Sequence, residues 1–71
     1  MSAFLWVFLP LLIAFEATLR IRPQHVDSWV NLARTRLALG DEQGARQAAQ
    51  QALRYDPTNA AARTLLAGAQ G

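Results

Sequence analysis

Between Val26 and Asn59 the chain reads VDSWVNLARTRLALGDEQGARQAAQQALRYDPTN, and this stretch leaves little freedom in secondary structure. Val26, Trp29, Val30, Ala33 and Leu37 recur at the three- and four-residue spacing that lines one side of a helix. Ala45, Ala48, Ala49, Ala52 and Leu53 form a second such stripe. Between the stripes, Gly40 suits the left-handed position that closes a helix, and Asp41 suits the cap that opens the next. Asp56-Pro57 ends the second helix, because proline lacks the N–H that the helical ladder needs. His25, Asp27 and Ser28 can cap the first helix near Val26, and Asp27 complements the helix dipole there. The product is a helical hairpin. Its alanine face allows close approach of the two axes, and Trp29 is expected inside as the one large filler.

The same stretch resembles a tetratricopeptide repeat, a two-helix unit of about 34 residues. Trp29, Leu32, Ala45, Ala52 and Pro57 stand in the repeat's Trp, Leu, two Ala and Pro places. Ala33 stands where glycine is usual, Arg36 where tyrosine is usual, and Ala49 where a bulky aromatic is usual. The resemblance covers about half of the chain. It implies an all-α fold, a non-enzymatic role in protein-protein interaction, and a concave face carrying Asp27, Val30, Asn31, Arg34, Leu37 and Ala38. On that face Asn31 and Arg34 can hydrogen-bond a peptide backbone or a carboxylate. After Pro57, Asn59 is placed to cap a last short helix from Ala60 to about Ala69. There Leu65 and Leu66 can cover the open side of the hairpin, and Arg63 falls in the Trp place.

Apolar residues make up 52% of the chain but are segregated, with the bulky ones concentrated in MSAFLWVFLPLLIAFEATL at the start. The uncharged run from Ala3 to Phe15 is shorter than the roughly 20 residues that span a bilayer. Extended to Leu19 or Ile21, it reaches about 30 Å as a helix. This predicts a transmembrane anchor over residues 1–22 followed by the repeat-like part over 23–71. A secretory signal would need a cationic start, and an interfacial helix a polar face; neither is present. A helix buried against a partner is the remaining alternative. Pro10 predicts a kink near Trp6 to Pro10. Phe4, Phe8, Leu12 and Phe15 share one helical face, which can pack on partner helices or touch lipid. Arg20, Arg22, Arg34 and Arg36 follow the apolar run, so the positive-inside rule puts the C-terminal part in the cytoplasm. The chain is then expected as a single-pass protein of a bacterial inner membrane. Its expected partners are a larger integral membrane protein complex and the lipid bilayer.

Leu19-Arg20-Ile21-Arg22-Pro23 repeats the spacing of Leu53-Arg54-Tyr55-Asp56-Pro57. This echo makes Pro23 and Pro57 equivalent helix ends, and it predicts that the first helix runs into the repeat without a flexible linker. Glu16, at the end of the uncharged run, is expected to be solvated; if buried, it would need a partner.

Chemistry is harder to place. His25 is the single histidine and cysteine is absent, so no spacing of ligands suits a metal. Ser28 has no evident base beside it. Gly40 with Gly44, and Gly68 with Gly71, follow no strand and precede no lysine, unlike a phosphate loop. The seven cations are all arginine, at 20, 22, 34, 36, 46, 54 and 63, and stand among five acids for a net charge of +2. They are too dispersed for a nucleic-acid footprint. We expect no cofactor, no nucleic acid and no small-molecule substrate. Two roles fit: an accessory subunit that packs onto and stabilises a larger complex, or an assembly or recruitment factor that holds a client tail on its concave face.

Overall fold

A computed structural model describes residues 9–70, with side chains through residue 69, as four helices. They are α1 Leu9–Ile21, α2 Val26–Ala38, α3 Glu42–Tyr55 and α4 Ala60–Gln70. Each start after α1 is fixed by a side chain that satisfies an otherwise orphan N–H of the first turn. His25 Nδ1 accepts from the Ser28 N–H at 3.2 Å, Asp41 Oδ1 from the Gly44 N–H at 2.9 Å, and Asn59 Oδ1 from the Ala62 N–H at 2.8 Å. Gly40 closes α2 at φ +84°. There the Asp41 N–H donates to the Arg36 carbonyl at 2.8 Å and the Gly40 N–H to the Leu37 carbonyl at 3.0 Å. That pair of bonds is the Schellman arrangement, which needs a residue free to take a positive φ.

Helix α2 is the hub, packed against α1, α3 and α4, and α3 also packs on α4. Two apolar clusters join at Trp29. One holds Leu19 of α1, Leu32 and Ala33 of α2, and Ala48 and Ala49 of α3, flanked by Leu12, Phe15, Leu65 and Leu66. The other holds Val30, Ala52 and Ala62. Ala45, Ala48, Ala49 and Ala52 are wholly buried. The expected alanine face is therefore the seam along which α3 meets its neighbours. Trp29 is only half-buried, and its indole N–H donates to the Pro23 carbonyl. Leu32 is the large side chain that is fully enclosed. An amphipathic indole at a seam keeps its polar edge where a carbonyl can meet it, so Trp29 closes the side of the core and leaves the centre to Leu32.

The membrane anchor is overturned. None of the described helices is long and apolar enough to cross a membrane. Helix α1 has 13 described residues, about 20 Å at 1.5 Å per residue, against a hydrocarbon core of about 30 Å. It turns Leu12, Phe15 and Leu19 onto the core and pairs its Glu16 with Arg36 of α2 at 3.1 Å. The single-pass placement in an inner membrane, with a cytoplasmic C-terminal part, falls with the anchor. So do the bilayer and an integral membrane complex as partners read from it. Phe4, Phe8 and most of the expected kink at Trp6 to Pro10 lie outside the described residues.

The echo around the prolines has a structural counterpart. Helix α1 ends at Ile21 and α3 at Tyr55, while α2 begins at Val26 and α4 at Ala60, a spacing of 34 residues in both cases. Thus α1 and α3 are equivalent second helices, and α2 and α4 equivalent first helices. The chain is one complete hairpin between two half units.

Candidate interaction site

Three surfaces could receive a partner. The first is a strip of α2. Asp27, Arg34 and Ala38 are exposed and Asn31 is half-buried, at spacings of four, three and four that keep them on one side of the helix. Val30, expected on this face, lies instead in the cluster with Ala52 and Ala62, because α4 packs beside α2 and covers it. Leu37 is half-buried. The strip thus offers a guanidinium, a carboxamide and a carboxylate but no bulky anchor.

The second surface is a cleft of about 480 Å³ lined by Trp29, Arg36, Gln47, Ala48, Gln50 and Gln51. Its one charge is engaged. Arg36 donates to Glu16 at 3.1 Å and to the Gly44 carbonyl at 3.3 Å, which ties α1, α2 and α3 together. An indole, three carboxamides and a committed guanidinium can hydrogen-bond a partner. The cleft follows from the altered places of the repeat: Arg36, where tyrosine is usual, spans to Glu16 instead of filling the space.

The third surface is the outer side of α1. Leu12 and Phe15 face the core, and the apolar residues left in the open are Leu9, Leu11, Ile13 and Ile21, with Ile13 at 67% and Ile21 at 79% exposure. Pro10, Ala14 and Ala17 are exposed beside them. Among the described residues α1 is packed on one side only, and an exposed apolar surface of this kind suits docking.

The model of the tetratricopeptide repeat matches residues 14–69, which is 56 of the 71 residues. The chain belongs to the tetratricopeptide repeat family. The match begins within α1 and takes in all of α2 and α3, in keeping with α1 being part of the repeat array. No curated protein and no solved structure matches the chain. Tetratricopeptide repeats are typically non-enzymatic modules of protein-protein interaction, and the partners of this chain are accordingly proteins. Ile13 and the three glutamines were not singled out from the sequence, and Arg36 was noted only as standing in the repeat's tyrosine place and among the arginines that follow the apolar run. The signal for them was the 34-residue offset, which aligns Ile13 with Gln47 and Ala17 with Gln51 and so marks an apolar surface where the complete repeat is polar.

Proposed function

We propose that this tetratricopeptide chain is a non-enzymatic accessory subunit that packs onto a larger protein assembly and stabilises it. The open apolar side of α1 carries this reading: Leu9, Ile13 and Ile21 stand in solvent on a helix whose other side is already packed. Burying a large aliphatic side chain returns about 1.5–3 kcal/mol, which is the gain that docking of this side realises. Glu16 and Phe15 hold α1 to α2 and present that side as a rigid surface. The test is size fractionation of the tagged full chain from its native cells. The wild type should travel with a heavier assembly, and Ile13→Glu should travel free with unchanged helicity. Free migration of the wild type would overturn the reading.

A second reading is favoured by the open Asp27, Asn31 and Arg34 strip, which can hold a client's backbone or carboxylate as an assembly or recruitment factor does. The strip is short and has no anchoring pocket. Peptide binding by the full chain that is lost in Arg34→Ala, with the heavier assembly unaffected, would favour it over docking through α1.

A further inference from the structure

We infer that the partner on the open side of α1 is a second copy of this chain, seated through its α4 so that the alternation of helices continues from one copy into the next. The inference rests on the reading of α1 as a docking surface and names its occupant.

The helix register carries the argument. In the complete hairpin, α2 and α3 meet along Leu32 and Ala33 on one side and Ala48 and Ala49 on the other, and Ala33 is 0% exposed. A shift of 34 residues takes Ala33 to Ala67 and Leu32 to Leu66 on α4, and takes Ala48 and Ala49 back to Ala14 and Phe15 on α1. Helix α4 is a first helix with no second helix beyond it among the described residues, and Ala67 is accordingly exposed. Helix α1 is a second helix with no described first helix before it, and Ala14, Ala17 and Ile13 are exposed. Among the described residues, α1 has no first helix packed on its outer side and α4 no second helix, and the two exposed faces are the two halves of one hairpin seam. Seating α4 of one copy on α1 of the next brings Ala67 to Ala14, the counterparts of Ala33 and Ala48 in the α2–α3 seam, while Phe15, the counterpart of Ala49, stays packed on its own chain's core.

The residues that differ between the seams suit two separate copies. Gln47 and Gln51, at the edge of the internal seam, are replaced by Ile13 and Ala17 in α1, which adds apolar contact where no covalent turn holds the helices together. Trp29, Arg36 and Gln50 share one cleft. Their counterparts at the join include Arg63 from one copy and Glu16 from the next, a complementary pair in which Glu16 is still 48% exposed. Contacts of this kind join unlike surfaces, so the assembly lengthens by one copy at a time and does not close as a symmetric pair.

The test is the mass of the full chain in solution as a function of concentration, for wild type, Ile13→Glu on α1 and Ala67→Glu on α4. Both positions are exposed, and circular dichroism checks that helicity is retained. One helix pair is a small interface, so the wild type should pass from about one protomer near ~5 µM to two or more near ~500 µM. Each variant alone should stay monomeric, since each has lost one of two unlike ends. An equimolar mixture should recover a 1:1 pair and stop there, because the intact α1 of one variant accepts the intact α4 of the other. A monomeric wild type at every concentration would overturn the inference. So would Ala67→Glu associating like the wild type, which would mean that α1 pairs with α1, or a mixture of folded variants that stays monomeric. If self-association is absent while Ile13→Glu still releases the chain from its heavier assembly, the accessory reading stands and only this inference falls.

Discussion

Helices α1 and α3 hold the same place relative to the 34-residue register, yet they meet their neighbours with opposite chemistry. Helix α3 is sealed by Ala45, Ala48, Ala49 and Ala52, all buried without residue, and its exposed side is rich in glutamine and arginine. Helix α1 sets Leu12, Phe15 and Leu19 against α2 and leaves further leucine and isoleucine in solvent. The 34-residue offset pairs Phe15 with Ala49, so the bulky aromatic usual in a tetratricopeptide repeat is present in the half unit and missing from the complete one. Between two flanking helices a small side chain allows close approach on both sides. In α1, which among the described residues packs on one side only, a large side chain can cover the gap.

The largest effect should come from the residue that both helices share. Leu32→Ala removes the fully enclosed side chain beneath α1 and α3 together, and should cost about 3 kcal/mol. In so small a fold, urea unfolding should show the midpoint collapse; a loss under about 1 kcal/mol would mean that the two seams do not meet at Leu32. Next, Ala49→Phe restores the usual aromatic at a site with no exposed surface, and overpacking there should destabilise by about 1–3 kcal/mol. A variant more stable than wild type in a thermal melt would show that the α3 seam has room, and the contrast with Phe15 would lose its physical basis. Phe15→Ala, on the looser seam, should cost about 1–2 kcal/mol because its ring is only half-buried. The ordering of Leu32→Ala above Phe15→Ala in the same melt is the sharper check.

Two smaller changes probe the polar ties. A methyl group on Gly44 would meet the Asp41 carboxylate and the Arg36 stem, so Gly44→Ala should disturb the cap of α3 and cost about 1 kcal/mol. Glu16→Gln removes the ion pair with Arg36, whose side chains are 48% and 24% exposed. It should change stability by no more than about 1 kcal/mol, and by less still at high salt. A salt-independent loss of several kcal/mol would mark the pair as a keystone of the α1–α2 seam.

Much of the fold was legible because its signals are local. Gly40, Asp41 and Asn59 act within one turn of where they stand, and the alanine spacing of α3 needs only the helical period. The echo of Pro23 and Pro57 located the end of α1. Its beginning and its surroundings were not legible, because a short run of leucine and phenylalanine reads alike whether lipid or a neighbouring helix covers it. The 13 described residues of α1 fall in the range where a packed helix is the better expectation than a span. Trp29 was expected at the centre on size alone, but its position depends on where Pro23 leaves a free carbonyl, and that is set by how α1 meets α2. Val30 left the concave strip for a similar reason: only the arrival of α4, from beyond the repeat, decides that it is covered.

The packing of α2 against each of the other helices bears on how the chain comes together in time. The principal helix pairs join neighbours in sequence, apart from α2 with α4, which are separated only by α3. Closing such short loops loses little chain entropy, and folds with contacts this local reach their native state in microseconds to milliseconds. The α2–α3 hairpin can form first and offer the surface to which α1 and α4 then add. Unfolding should then begin at the ends, so amide hydrogen exchange should be slowest in the middle of α2 and α3 and progressively faster towards α1 and α4.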